Sequence, residues 1–289
     1  MGTPLRVGLI QANIPQDEKW SESRAASIFD TYLSMSREAA ARGATFIIWP
    51  ESATPFFFQE DPVGGDAIRE LAAETRAALL FGSDQVEAGR PPRYYNSAFL
   101  IDPNGMLLAT YRKVHLVPFG EYVPLKSLLP FVAPLVESVS DFSPGDEAVM
   151  LPVEGHLAST AICYEVVYPD LIRQSVDTGS ELLTTITNDA WYGHSSAPFQ
   201  HFEQAALRAI EQGRYLVRAA NTGISGIVDP YGRVVARSNL FERTALVGEA
   251  RFLTARTFYG RSGDLVAYAS VALTIAIAGL LMGKRRRRA

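Results

Sequence analysis

The sequence predicts an α/β domain containing antiparallel strand pairs, followed by a single membrane-spanning helix. Three observations lead there. Short apolar runs bounded by Gly, Pro and Asn read as strands, and longer segments with helical spacing fall between them. The run Leu265 to Gly283, LVAYASVALTIAIAGLLMG, carries no charge, and at about 1.5 Å per residue it nearly crosses the roughly 30 Å hydrocarbon layer of a bilayer. The 289 residues are 47% hydrophobic and 20% charged, which permits a sizeable buried core.

Taken in order, LRVGLIQAN reads as a buried strand and SESRAASIFDTYLSMSREAAARG as a helix, with Ser21 or Ser23 as N-cap and Gly43 as stop. TFIIWPES is a second strand. Helical spacing returns from Gly65 to Ala78, and strands follow at ALLFGSDQV, YNSAFLID and MLLATYRK, the last two joined by an Asn104-Gly105 turn. From Val114 to Gly145 the chain is rich in proline and aliphatic residues without a sustained period, so it reads as a long functional loop. Beyond it, VMLPV and HLASTAIC are strands, YPDLIRQSVDTG a helix, ELLTTITN a strand and PFQHFEQAALRAIEQG a helix closed by Gly213. LVRAANTG, ISGIVDP, GRVVARS and TALVGEARF complete the domain. With no repeat or linker before Gly260, residues 1–260 are expected to form one domain, 265–283 the span and 284–289 a basic tail.

The net charge of -4 offers no field for a phosphate backbone, so nucleic acid is not an expected partner. Lys284, Arg285, Arg286, Arg287 and Arg288 crowd the end of the chain, which makes the tail the cytoplasmic flank of the span. The domain before Leu265 then belongs on the opposite side. The opening MGTPLRVGLIQANIP has no basic and apolar signal that would export it, so further membrane spans, on the same polypeptide or on a separate subunit, are expected. One cysteine excludes an intramolecular disulfide, and the scattered His115, His156, His194 and His201 show no metal-ligand spacing. Neither a metal nor another cofactor is expected.

Cys163 ends an apolar strand and is followed by Tyr164 and Glu165, a strand-to-helix turn that would expose a thiol and aim backbone N–H groups at an oxyanion. Taken alone, a lone cysteine is more often a small buried core residue. A nucleophilic thiol needs a base and a cation nearby, and Glu51 and Lys113 each close an apolar strand, so the three ends can meet at one sheet edge. Viewed separately, either charge reads as an ordinary solvated group.

The ordered set of Glu51 in WPES, Lys113 in YRKVHLVPFGEYVP and Cys163 in ICYEVVYP resembles the Glu-Lys-Cys triad of the nitrilase superfamily, which implies an αββα sandwich. Within it, PFGEYVP, CYEVVYP, TNDAWYG and QHFEQAALRAIEQGRYLVRAANTGISGIVDPYG resemble the apolipoprotein N-acyltransferase family, which also carries a transmembrane helix after its nitrilase domain. That family has a multi-span membrane domain before the nitrilase domain, whereas this chain starts close to the first nitrilase strand.

The resemblance implies that Glu51 is the general base, Cys163 the nucleophile and Lys113 an oxyanion donor. The acyl donor would be a phospholipid, and the acceptor the α-amine of a diacylglyceryl apolipoprotein in the bacterial inner membrane, with the catalytic domain on the periplasmic side. Glu121 would orient Lys113 or handle the amine's proton, Tyr164 and Glu165 would support the nucleophile, and Asn188, Trp191 and Tyr192 would shape the pocket. Phe56, Phe57 and Phe58, with Leu125, Leu128, Leu129, Phe131 and Val132, read either as arms that enter the bilayer or as residues buried beneath a loop. The competing functions are a soluble-type amidase or carbamoylase using the same triad, and a non-catalytic membrane-tethered domain.

Overall fold

The computed structural model describes residues 2–122 and 142–286, with side chains as far as Met282. The first half alternates strands and helices: β1 (Thr3–Gln11), α1 (Glu22–Ala41), β2 (Phe46–Ile48), α2 (Pro62–Thr75), then β3 (Ala78–Glu87), β4 (Arg93–Ile101) and β5 (Leu107–Arg112). The second repeats the idea with β6 (Met150–Val153), β7 (His156–Ile162), α3 (Pro169–Asp177), β8 (Leu182–Thr187), α4 (Ala197–Gln212), β9 (Leu216–Ala220), β10 (Gly226–Val228) and β11 (Val234–Arg237). The chain then returns through β12 (Thr244–Phe252) and leaves by α5 (Phe258–Ser262) and α6 (Leu265–Arg286).

Two six-stranded sheets result, ordered β12-β1-β2-β3-β4-β5 and β11-β10-β9-β8-β7-β6. In each, a parallel centre is flanked by antiparallel strands: β1, β2 and β3 run parallel in one sheet, and β7, β8 and β9 in the other. Strands with apolar side chains on both faces suit such a centre, since neither face meets water. Between the sheets lie Val7, Leu9, Phe46, Ile48, Leu80 and Leu100 from one and Ile162, Ile186, Val217 and Ile227 from the other. The outer face of the first sheet packs Ile47, Leu79 and Phe99 against Ile28, Tyr32 and Met35 of α1 and Ile68 and Leu71 of α2. The outer face of the second packs Ala161, Leu183 and Leu216 against Ile172 of α3 and Phe202 and Ala205 of α4. This is the αββα layering. β12 closes the first sheet by pairing with all nine residues of β1, from Thr3 with Phe252 to Gln11 with Thr244.

Local boundaries follow identifiable causes. α2 starts earlier than its spacing suggests, because Asp61 accepts the N–H of Gly64 at 2.9 Å and Pro62 occupies the first turn. Ser21 precedes α1 without a side-chain cap, its hydroxyl instead meeting that of Ser23 at 2.9 Å. The phenylalanine run is divided: Phe58 is buried against Phe81 and Phe99 with ring centroids 5.0 Å away, and Phe56 packs edge-on to Phe29 at 5.1 Å. Of the three, Phe57 alone is exposed, so the reading of this run as a bilayer arm fails for Phe56 and Phe58, which fill core space under α1 and α2. Leu125, Leu128, Leu129, Phe131 and Val132 lie outside the described residues.

α6 is long and apolar enough to cross a membrane, and none of Leu265–Met282 is buried against the rest of the chain. A core helix of this composition would be covered by protein, whereas this one exposes Leu273, Ile275, Leu280 and Leu281.

Candidate active site

Glu51 and Lys113 follow the C-terminal ends of β2 and β5, and Cys163 follows that of β7, so one sheet contributes the two charges and the other the thiol. Beyond Ile48 the main chain enters a turn at Glu51 and Ser52, and the φ of Ser52 is +44°. Gly82 permits the turn, since a Cβ there would lie 2.6 Å from both the Pro50 oxygen and the Ser52 nitrogen. Ser52 is tied to Asp84 by its hydroxyl at 2.7 Å, and the buried Lys19 donates to the Glu51 carbonyl at 3.2 Å.

The charged cluster is compact. Lys113 is 1% exposed and its Nζ lies 2.8 Å from Glu121 Oε1 and 3.5 Å from Glu51 Oε1. Asn96, a polar residue in the middle of β4, bridges the two carboxylates by donating Nδ2 to Glu51 Oε1 at 2.8 Å and to Glu121 Oε1 at 3.0 Å. The second Glu51 oxygen accepts the backbone N–H of Asn188 at 2.9 Å, which brings the end of β8 onto the carboxylate. Glu121 Oε2 accepts the N–H of Val117 at 2.8 Å and so closes its own loop. Burial opposes the charge on Lys113, but Glu51, Cys163 and Glu121 together outweigh it and hold the ammonium above its ordinary range.

Cys163 begins a 3-10 turn, Cys163–Val167, with a φ of +53°. Burial pushes its thiol up to about 12, the Glu51 carboxylate adds to that shift, and the Lys113 ammonium acts against it. The resting group is therefore a thiol that must give its proton to a base before it attacks. Lys113 Nζ and Glu51 Oε1 lie 3.5 Å apart and both charges act on the Cys163 thiol, so residues from three distant stretches of sequence make up the candidate site.

The flanking residues divide by what they touch. Glu165 is fully buried and does not face the cluster: Oε1 accepts from the Tyr111 hydroxyl and the N–H groups of Val114 and His115, and Oε2 from the N–H of Ile162. It fastens the segment after Lys113 to the residue before Cys163. Tyr164 turns to the aromatic group of Tyr168 and His115, with centroid separations of 5.6 and 3.7 Å along that row. Asn188 reaches the site through its main chain, while its side chain bonds Gln16 and Asn221. The Tyr192 hydroxyl is pushed up to about 12 by burial and by the nearby Cys163, Asp189 and Glu51. Trp191, 74% exposed, faces outward instead of lining a closed pocket.

Several residues in and beside the site were not picked out from the sequence: Lys19 and Asn96 at the carboxylates, and Thr187, Asp189, His201 and Arg218 in the buried layer behind Cys163. Arg218 had a signal, since it interrupts the otherwise apolar strand LVRAA.

The family model for carbon-nitrogen hydrolases matches residues 6–257. The chain belongs to the carbon-nitrogen hydrolase family. An amidase of the nitrilase superfamily from Nesterenkonia AN1, solved as a cysteine-to-alanine mutant, shares the family's fold with a TM-score of 0.67 at 20% identity, covering 93% of this chain and 98% of that one. Among curated relatives, an apolipoprotein N-acyltransferase of Geobacter metallireducens is 43% identical over 98% of this chain and 55% of its own length. One of the same name from Methylococcus capsulatus is 38% identical over 100% of this chain and 56% of its own. The chain thus spans a little over half the length of these family members.

Proposed function

We propose that this chain carries the chemistry of an apolipoprotein N-acyltransferase, moving an acyl group from a phospholipid through a thioester at Cys163 to the α-amine of a diacylglyceryl-cysteine lipoprotein. The observation that carries the reading is 43% identity along nearly the whole chain to a relative of that name. The charge arrangement around the thiol suits acyl transfer.

In the first half-reaction Glu51 takes the Cys163 proton, the sulfur attacks the ester carbonyl carbon, and Lys113 donates to the oxyanion. The backbone N–H of Tyr164 is the second donor, and each such donor is worth about 3 kcal/mol in the transition state. Collapse breaks the acyl C–O bond, and Glu51 returns the proton to the departing lysophospholipid oxygen. In the second half-reaction the lipoprotein amine attacks the thioester, Glu51 accepts the amine proton, the C–S bond breaks, and the sulfur recovers its proton from Glu51. Glu121 orients Lys113, Tyr164 and Glu165 support the segment that carries Cys163 without facing its sulfur, Asn188 and Tyr192 border the pocket, and the exposed Trp191 stands at its outer edge.

The same proposal assigns residues 1–260 to catalysis, 265–283 to the membrane span and 284–289 to a basic cytoplasmic tail, with the catalytic domain on the periplasmic face of the bacterial inner membrane. The greater length of the curated relatives supports partnership with further membrane spans, on the same polypeptide or a separate subunit.

Detergent-solubilised protein incubated with an acyl-labelled phospholipid tests the reading. Expected are a labelled thioester on Cys163, release of lysolipid, and discharge by a diacylglyceryl lipopeptide. Ammonia released from small amides with no thioester from phospholipid would overturn it in favour of an amidase. A Cys163→Ala variant that still supports lipoprotein maturation in cells would overturn it in favour of a non-catalytic domain.

A further inference from the structure

A second buried polar cluster lies behind Cys163, apart from Glu51, Lys113 and Glu121. Its starting point is the backbone of Cys163, whose φ of +53° is a conformation that residues with a Cβ hold only when the surroundings enforce it. His201, in the first turns of α4, places Nε2 3.1 Å from the Cys163 carbonyl oxygen. A carbonyl only accepts, so Nε2 carries a proton and donates.

The other ring nitrogen is held from two sides. His201 Nδ1 lies 2.9 Å from Asp189 Oδ1 and 3.0 Å from Arg218 Nη2, and Arg218 Nη2 donates to Asp189 Oδ2 at 2.8 Å. The side chains of Arg218 and Asp189 are both 0% exposed. Arg218 is itself fixed through Nε to the Ile224 carbonyl at 3.3 Å. Gly223 leaves the room that Asp189 occupies, because a Cβ there would lie 2.2 Å from Asp189 Oδ2. Thr187 donates to Asp189 Oδ1 at 3.0 Å. The cluster therefore reaches the nucleophile at its carbonyl, through His201.

A fully buried ion pair is weak evidence of stabilisation, since well-packed apolar side chains of similar volume often serve a core equally well. What apolar side chains cannot do is donate to the Cys163 carbonyl. We propose that Asp189, Arg218 and His201 act as a positioning relay that clamps the carbonyl of Cys163 and so keeps this residue in the left-handed conformation from which its sulfur faces Glu51 and Lys113. The proposal rests on Cys163 being the nucleophile, but the clamp can be read without any turnover.

The sequence contains one cysteine, so cysteine labelled with carbon-13 at its carbonyl marks a single amide in the whole chain. Isotope-edited infrared spectra of the detergent-solubilised full chain are compared for wild type, His201→Asn and His201→Gln. Asn superimposes its amide on the Nδ1 edge of the ring and loses the donor at Nε2; Gln reaches the Nε2 position and retains it.

In His201→Asn the labelled band moves to higher frequency and the rate constant for thioester formation falls about 100-fold, the cost of roughly 1 Å of misplacement, with KM for phospholipid unchanged. In His201→Gln the band stays near its wild-type position and the rate recovers to within about tenfold of wild type. An unmoved band in His201→Asn, or the same loss of rate in both variants, overturns the relay. If His201→Asn does not fold, Asp189→Asn, which removes the charge facing Nδ1, is read by the same band and must also move it. Absence of a thioester in wild type would sink the acyl-transfer reading, while the band would still decide the clamp.

Discussion

Replacing Glu165 by Gln isolates what its carboxylate does for the two segments that carry Lys113 and Cys163. Three donors converge on Oε1, from Tyr111, Val114 and His115 at 2.8, 2.7 and 2.9 Å, and one on Oε2, from Ile162 at 2.7 Å. A carboxamide has one acceptor oxygen, so its best orientation keeps the first three and turns an NH2 group toward the N–H of Ile162. An orphaned buried donor costs about 1–3 kcal/mol, and three charge-assisted bonds become neutral ones of roughly half the strength. Against this, a neutral side chain no longer suffers the burial that pushes the Glu165 carboxyl up. The expected net loss is about 2–4 kcal/mol, a fall of roughly 5–15 °C in melting midpoint for a domain of this size. Because Val114 adjoins Lys113 and Ile162 adjoins Cys163, the rate of thioester formation should fall by about 10- to 100-fold. Thermal unfolding in detergent and single-turnover acylation measure the two effects. A Glu165→Gln protein with the wild-type midpoint and rate would refute the assignment of this carboxylate as the fastener between the segments.

Burial raises the Asp189 carboxyl, but Arg218 and His201 overcome it and hold the group at about 2 against an ordinary 3.8. A depressed acid contributes stability that is present above the unfolded value and lost as pH falls through the folded one, here about 2 kcal/mol, and acid titration of unfolding should show that loss between about pH 4 and pH 2 in wild type but not in Asp189→Asn. Because burial and Glu51 both raise the Cys163 thiol, its alkylation by iodoacetamide should climb with pH without a plateau below pH 9; Glu51→Gln should quicken it at fixed pH and Lys113→Met slow it. A plateau near neutrality, or both variants moving the rate the same way, would contradict the electrostatics described. Ending the chain at Asp264 removes Leu265–Met282, none of which is buried, so the remaining domain should keep its melting midpoint and leave the membrane fraction, as sedimentation with liposomes would record.

Most elements were legible because each has a local cause. The apolar runs LRVGLIQ, ALLFG and ELLTTIT make strands wherever they are placed, and the Asn104-Gly105 turn and the Gly43 and Gly213 stops act within a few residues. The start of α2 was missed although Asp61-Pro62 is a local signal, since a search for apolar spacing alone passes over a polar first turn. The ordered motifs around Glu51, Lys113 and Cys163 marked the charged core of the site through their resemblance to the superfamily triad, but nothing local distinguishes the roles of Glu121 and Glu165. One meets Lys113 and Asn96, and the other disappears into backbone amides.

By itself, then, the chain determined its strands, its helices, the uncharged run that forms α6, and the three residues around which acyl chemistry was expected, because these depend on neighbours in sequence or on ordered motifs. Only the tertiary structure decided that Phe56 and Phe58 fill the core, that Asn96 joins two carboxylates, and that His201, Asp189 and Arg218 stand behind the nucleophile. Those contacts join residues that no shared periodicity links. They exist because strands distant in sequence lie side by side within each sheet and helices pack on the outer faces, and a contact between such neighbours is set by distance in space, which no local pattern encodes.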